Sequence, residues 1–203
     1  MPPRIAVVVC SIRKPRLNPF IAAHVHSRLA AIATAAVTVE LLDLAAQGLP
    51  LYDEPAVPSS LPAANPTPHY AHAHTRAWSA AVRSYDAFVF VTPQYNWSVP
   101  ASLKNALDYL FHEWSRKPAA VVAYGSRGGQ KAADHLHTIL QGLRMAPVSS
   151  AVTLHTHGAD IAACEGRGAV GHELAEAWRR DGKENELDEL FAELLRALNA
   201  HRG

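Results

Sequence analysis

Cysteine is scarce in this sequence, because the 203 residues include only Cys10 and Cys164. Two distant cysteines form neither a disulfide framework nor a CxxC pair, which is typical of proteins from a reducing compartment. Long apolar runs are also missing: the run at residues 5–10 is far shorter than the roughly 18 residues that a membrane span needs. We therefore expect a cytoplasmic protein with no membrane partner.

An excess of one charge is absent as well. The 19 lysines and arginines nearly balance the 18 aspartates and glutamates, which gives a formal net charge of +1. This balance predicts no basic surface for DNA or RNA, so we expect no nucleic-acid partner. Hydrophobic residues make up 49% of the chain and charged residues 18%, which excludes a disordered chain. At this length we expect one domain over residues 1–203.

The sequence does contain a regular alternation of strand-like and helix-like segments. Apolar runs predict five strands, at residues 5–10, 37–42, 87–91, 119–124 and 148–154. These runs are continuous rather than alternating, as in parallel strands that helices cover on both faces. Amphipathic spacing predicts helices at residues 19–33, 69–84, 100–118, 129–142 and 186–198.

This alternation predicts an α/β fold in which a parallel sheet has helices on both faces. The flavodoxin-like strand order 2-1-3-4-5 is the expected one, because crossover handedness favours it. Residues 53–68 and 156–171 interrupt the alternation and are predicted to be long loops. Long loops in a compact domain are often functional.

Polar, turn-forming segments follow three of the predicted strands, where ligands of open α/β sheets bind. Residues 11–18 offer a hydroxyl, three cations, an amide and a helix N-terminus, which suits a phosphate. Residues 92–100 bring Pro, Gln, Tyr, Asn and Trp together, which suits a flat heterocycle, and residues 125–129 contain glycines that allow close backbone approach. Each segment alone is equally compatible with an ordinary turn before a helix.

Two other motifs give weaker evidence for a function. Among twelve histidines, His69, His72 and His74 are neighbours, but on a helix His74 faces away from the other two and no cysteine or carboxylate completes a set. We therefore expect no metal. The GxGxxG match at residues 166–171 lies in a predicted loop with no strand after it, so we do not interpret it as a dinucleotide fingerprint.

The segments after the strands resemble the NADPH-dependent FMN reductase family, and within it the fungal and yeast FMN-dependent NAD(P)H:quinone reductases. The similar stretches are SxR (11–13), HTRAWS (74–79), TPQYNWSVPASLKNALDYL (92–110), HEWSRKP (112–118) and AYGSRGGQKAADHL (123–136). The resemblance covers roughly residues 4–154. It implies a flavodoxin-like fold, bound FMN, and a homodimer or dimer of dimers with flavin sites near the subunit interface.

The resemblance also implies which residues bind FMN. Those expected to hold the phosphate are Ser11, Arg13 and Asn18. Those expected to line the isoalloxazine ring are Pro93, Gln94, Tyr95 and Asn96. Those expected to close the other side of the flavin pocket are Tyr124, Gly125 and Ser126. Trp97 is expected to shape the substrate slot or a dimer contact.

The implied activity is a ping-pong oxidoreduction. NADH or NADPH passes a hydride to N5 of FMN and leaves, after which a quinone receives two electrons. Because the cofactor carries this chemistry, we assign no obligatory side-chain acid or base. Azo compounds, chromate, ferric chelates and free flavin are alternative acceptors. A non-catalytic electron carrier or redox sensor of the flavodoxin type is the alternative from another class.

Two positions depart from the family's common pattern. Cys10 stands where much of the family has glycine, and Gln94 stands where much of the wider family has an acidic residue. A neutral amide at position 94 removes a negative charge beside the flavin, which is expected to ease its reduction. Gln94→Glu is therefore expected to lower the midpoint potential of bound FMN, and a potentiometric titration that shows no fall contradicts this hypothesis.

Overall fold

A computed structural model describes residues 2–33 and 37–202, and its strands form one parallel sheet. The strand order is β2-β1-β3-β4-β5, which confirms the predicted flavodoxin-like α/β fold. The strands are β1 (Arg4–Val9), β2 (Thr38–Asp43), β3 (Ala87–Pro93), β4 (Pro118–Gly125) and β5 (Ala146–His155). Every predicted strand is confirmed, with its ends shifted by a few residues.

Seven α-helices lie within the described residues. They are α1 (Asn18–Ile32), α2 (Ala73–Arg83), α3 (Ala101–Asp108), α4 (Gln130–Gly142), α5 (Ala159–Arg167), α6 (His172–Arg180) and α7 (Lys183–Arg202). Helix α1 begins as predicted, with a proline in its first turn. Over these same ranges, no helix has the length and apolar character that crossing a bilayer requires.

Several predicted bounds are wrong. The helix expected over residues 69–84 begins at Ala73, and the helix expected over residues 186–198 extends over Lys183–Arg202. The helix expected over residues 100–118 ends at Asp108, and residues 112–116 form turns. Leu110 and Trp114 are nevertheless buried in the same core as α3, so their spacing reflects shared burial rather than a continuing helix. The expected loop at residues 156–171 contains α5, whose one buried residue is Cys164. A helix with a single buried side chain leaves no amphipathic period to detect.

The two faces of the sheet have different cores. Helices α2, α3 and α4 cover one face, where Trp78 and Trp114 pack edge-on at 5.9 Å. Helices α1 and α7 cover the other face, which is mostly aliphatic. The central strands β3 and β4 are buried along nearly their whole length. Continuous apolar runs therefore mark the middle of the sheet, as the sequence predicts.

Charged groups at the amino edge of the sheet are bound to one another. Arg4 on β1 pairs with Glu40 on β2, with an Nη2–Oε2 distance of 2.7 Å. The Tyr85 hydroxyl donates to the same carboxylate at 3.1 Å. The backbone N–H of Arg4 donates to Asp86 at 2.8 Å. Lys117 donates from Nζ to the Val82 carbonyl at 2.8 Å. These groups at the amino edge therefore all form hydrogen bonds with other groups of the protein.

Candidate functional site

A cleft of about 160 Å³ opens at the carboxyl edge of the sheet. Segments that follow β1, β3, β4 and β5 surround it. The predicted site residues that line it are Arg13, Pro93, Gln94, Tyr95, Tyr124, Gly125 and Ser126. The predicted residues outside this lining are Ser11, Asn18, Asn96 and Trp97. The three polar segments identified from the sequence therefore do meet in space.

The first segment is shaped from within by Asn18. This side chain is fully buried, its Oδ1 accepts from Ser11 N at 2.6 Å, and its Nδ2 donates to Val91 O at 2.9 Å. Ser11 is also buried, and its hydroxyl shares a hydrogen bond of 2.8 Å with the Tyr95 hydroxyl. Both polar atoms of Asn18 are thus committed to main chain, so this residue holds the loop in shape.

The two arginines of this segment differ in their partners. Arg16 forms a bidentate pair with Asp43 at 2.8 and 2.6 Å, and this carboxylate raises the pKa of the Arg16 guanidinium. Arg13 is exposed, and its guanidinium carbon lies 3.8 Å from the Tyr95 ring centroid. Because a carboxylate already neutralises Arg16, Arg13 is the one of these two arginines that is available to a ligand's negative charge, and it lines the cleft.

The second segment ends in a tight two-residue turn. Tyr95 and Ser98 exchange both backbone hydrogen bonds at 2.9 Å, while Asn96 and Trp97 adopt positive φ values of 49° and 66°. A turn with two left-handed central residues usually carries Asn-Gly. A non-glycine residue in this region costs on the order of 1–2 kcal/mol. Trp97 is also 62% exposed, so little packing within the described chain offsets that cost.

The third segment requires a glycine at its end. Gly129 has φ +92°, and a Cβ there would lie 2.7 Å from Tyr124 N and 3.0 Å from Ala123 C. Both neighbours are backbone atoms that cannot rotate away. Gln94 is fixed at the same place, because its Oε1 accepts from the N–H of Ala132 on α4 at 3.3 Å. The loops after β3 and β4 are thereby joined.

The segment after β5 also lines the cleft, which the sequence prediction missed. Its lining residues are Thr156, His157, Gly158 and Ile161. Asp160 at the start of α5 accepts from His157 N at 2.6 Å and orders this segment. A signal existed, since these residues follow a predicted strand at the same edge of the sheet.

The histidine cluster differs from its expected arrangement. His72 precedes α2 in an extended conformation, so its ring stacks on that of His74 at 5.2 Å instead of facing away. His74 Nε2 lies 3.0 Å from Asp53 Oδ1. Across the part of the chain that the structure describes, no group of three or more His, Cys, Asp or Glu side chains is arranged for a metal ion.

The donor set of the cleft suits a ligand with a phosphate at one end and a flat ring at the other. Arg13 and the uncapped N-terminus of α1, which has no acidic residue in its first turn, suit the phosphate. Tyr95 and Tyr124 supply aromatic walls for the ring. Burial raises the pKa of the Tyr124 hydroxyl well above its usual range, so this wall stays neutral. FMN has this shape, and the residues present fit it.

Comparison with known sequences points the same way. The profile of the NADPH-dependent FMN reductase family matches residues 3–159. The chain is 33% identical over 187 residues to the NAD(P)H-dependent FMN reductase ntnL of Nectria sp, with 91% of each chain covered. It is 41% identical over 147 residues to an NAD(P)H-dependent FMN reductase of Saccharomyces cerevisiae, which covers 70% of this chain and 75% of the yeast protein.

Two further comparisons concern a quinone reductase and a solved structure. The quinone reductase of Pseudomonas putida is 38% identical over 132 residues, with 62% of each chain covered. The flavoenzyme NAD(P)H:(acceptor) oxidoreductase FerB of Paracoccus denitrificans has the same fold, with a TM-score of 0.67 and 23% identity over 96% of this chain and 98% of FerB. The chain belongs to the NADPH-dependent FMN reductase family and is a flavin-dependent oxidoreductase that uses FMN and NAD(P)H.

Proposed function

We propose that this enzyme reduces a quinone at the carboxyl-edge cleft, in the reaction NAD(P)H + H⁺ + quinone → NAD(P)⁺ + hydroquinone. The two-electron chemistry is that of bound FMN. The observation that carries the proposal is the cleft itself, which joins a phosphate-type loop to two loops with aromatic walls. The Pseudomonas putida relative, whose name is quinone reductase, supports a quinone as the acceptor.

The phosphate end of the site depends on Arg13. Its guanidinium is exposed and is positioned by the Tyr95 ring at 3.8 Å. We propose that it binds the FMN phosphate beside the start of α1, whose first turn contains no acidic residue. Asn18 and Ser11 act behind it: their mutual hydrogen bond of 2.6 Å and the Ser11–Tyr95 bond of 2.8 Å hold the loop in its binding shape.

We propose that Pro93, Gln94 and Tyr95 bind the ring from one side of the cleft, with Asn96 next to them in the turn and outside the lining. We propose that Tyr124, Gly125 and Ser126 bound the other side. The absence of a side chain at Gly125 leaves space between the two sides of the cleft, since a Cβ there would lie 3.5 Å from the Gln94 Cβ. These residues bind and orient the ring, while the proton of the reaction comes from solvent at the open mouth of the cleft. No side chain is proposed as an obligatory acid or base.

We further propose that the protein works in the cytoplasm as a homodimer or a dimer of dimers. The support for the oligomer is an apolar cleft of about 200 Å³ beside the phosphate loop. Leu51 and Ile12 line it and are 85% and 51% exposed. Apolar side chains exposed together mark association surfaces in soluble proteins. Analytical ultracentrifugation tests this point, because the sedimentation coefficient of Leu51→Lys is expected to be smaller than that of wild type.

The enzymatic proposal is tested by anaerobic titration of the FMN-loaded protein with NADPH, followed by visible absorbance. We expect prompt bleaching of the flavin bands and their return when a quinone is added. A flavin that binds but stays oxidised would identify a carrier or sensor instead. A panel of quinone, azo, chromate, ferric and free-flavin acceptors then ranks the alternatives by kcat/KM. Failure to bind FMN at all would contradict the site assignment.

A further inference from the structure

The turn after β3 carries an aromatic residue where its backbone favours glycine. Trp97 is the second central residue of the Tyr95–Ser98 turn, with φ 66°. Asn-Gly fits this position without strain, and residues held in strained conformations cluster at functional sites. The ring is 62% exposed. Neither the turn nor the core of this chain requires a tryptophan here, so a role outside the chain's own packing is indicated.

The turn is held in a fixed position by α4. His135 Nδ1 and Ser98 Oγ lie 3.0 Å apart, and the N–H of Ala132 donates to Gln94 Oε1 at 3.3 Å. These two contacts flank the turn on both sides. Gln94 itself lines the cleft, as does the next residue along the chain. The exposed Trp97 ring therefore follows two residues after Tyr95, a residue of the cleft lining, on a turn that α4 holds in place.

A cation accompanies this ring. Lys131, in the first turn of α4, places Nζ 5.6 Å from the Trp97 ring centroid. Within residues 2–33 and 37–202 no carboxylate forms an ion pair with Lys131, whereas Lys104 and Lys183 are each paired with one. The nearest acidic residue along α4, Asp134, accepts from Gln130 at 2.8 Å. The ammonium thus lies over the exposed Trp97 ring and forms no ion pair among the described residues.

We propose that Trp97 and Lys131 form a platform for planar acceptors that carry a negative charge, such as sulfonated, carboxylated or ionised hydroxylated quinones. The proposal rests on the quinone reductase function and names its acceptor class. The indole face stacks on the acceptor ring, and the ammonium, attracted to the same indole, selects for the anionic substituent. Neutral acceptors use the stacking contact alone.

The test compares 1,4-naphthoquinone-2-sulfonate with the neutral 2-methyl-1,4-naphthoquinone. In Lys131→Gln the KM for the sulfonate is expected to rise about fivefold relative to that for the neutral quinone, the size of a solvent-exposed ion pair. Added salt is expected to raise the sulfonate KM in wild type and not in the variant. Trp97→Gly is expected to raise both KM values about tenfold, as for loss of an aromatic stack, without lowering Tm. Lys183→Gln, on the opposite face of the sheet, is the matched control.

A binding measurement keeps the test independent of turnover. Equilibrium dialysis of the sulfonate against the FMN-loaded, oxidised protein, without NAD(P)H, gives its Kd directly. An equal Kd in wild type and Lys131→Gln, or no binding to wild type, overturns the platform. If Trp97→Gly dissociates the oligomer and leaves both KM values unchanged, the platform is also overturned. Trp97 is then a subunit contact. Failure of the quinone reductase function shows separately, as FMN that NADPH does not bleach.

Discussion

The two edges of the sheet differ in how many of their cations are bonded within the protein. At the amino edge, Arg4 and Glu40 bind each other at 2.7 Å. At the carboxyl edge Arg16 is likewise paired with Asp43, but Arg13 and Lys131 contact aromatic rings and form no ion pair among the described residues. The Arg4 charge at the amino edge is thus bonded within the protein, whereas Arg13 and Lys131 at the carboxyl edge are available to ligands. Left-handed backbone, by contrast, occurs at both edges, at Asn96 and Trp97 after β3 and at Arg116 and Arg144 before β4 and β5.

The largest expected effect comes from a substitution that disrupts the backbone at the carboxyl edge. In Gly129→Ala the new Cβ lies 2.7 Å from Tyr124 N, and an L residue must adopt φ +92°. We expect a loss of about 3 kcal/mol in unfolding free energy and of FMN binding, because backbone atoms have to move. Urea unfolding and FMN titration measure both. Gly142→Ala at the end of α4, with nothing within 4 Å of its Cβ, is the control and is expected to keep both properties.

The next effect separates binding from stability. Arg13→Ala removes the exposed cation of the phosphate loop, and we expect the Kd for FMN to rise about 30-fold, the size of a charge-assisted hydrogen bond. Unfolding free energy is expected to change little. Arg4→Ala at the amino edge is the opposite case, with lower stability and an unchanged Kd. Fluorescence titration with FMN measures the Kd of both variants. Equal Kd values would contradict the contrast between the edges.

A smaller effect concerns a buried amine at the amino edge. Burial lowers the pKa of Lys117 to about 8, from about 10.4 in the unfolded chain. Below pH 8 the amine is charged in both states and its burial costs stability. Between the two pKa values the unfolded chain binds more protons, so stability rises with pH. Lys117→Met is therefore expected to stabilise by about 1–2 kcal/mol at pH 7, with the gain shrinking towards pH 10.5.

The Lys117→Met measurement has a clear control. The Val82 carbonyl keeps its hydrogen bond from Tyr85 N at 3.2 Å in the variant, so no acceptor is left unpaired. Lys104→Met on α3 removes an exposed lysine and is expected to change stability by less than about 0.5 kcal/mol. Thermal unfolding from pH 7 to 10.5 compares the variants. A gain that is constant over this range contradicts the buried-charge explanation.

The smallest effect is the ion pair of the amino edge. The Arg4 guanidinium lowers the pKa of the Glu40 carboxyl, so the pair stabilises the fold above the usual pKa of glutamate and this contribution is lost as pH falls through the lowered value. Both side chains are more than a third exposed, so Glu40→Gln is expected to cost no more than about 1 kcal/mol near neutral pH. Urea unfolding at pH 7 and pH 3 measures it, and a cost that persists at pH 3 would argue against an ionic origin.

The sheet and the site loops could be predicted because they depend on local patterns. Continuous apolar runs reveal buried parallel strands, and polar segments at strand ends reveal where ligands bind. Tertiary packing decided the rest. Nothing in the sequence shows that both polar atoms of Asn18 bind main chain, or that Trp97 adopts φ 66°. Arg16 shares the predicted loop with Arg13, yet only the position of Asp43 on β2 shows which arginine is neutralised.

The buried amide of Asn18 has a consequence for cofactor loading. Because it ties the loop after β1 to the end of β3 through Ser11 N and Val91 O, the loop has its shape without help from a ligand. A preorganised site loses little conformational entropy on binding. We therefore expect protein stripped of its flavin to rebind FMN without a refolding phase.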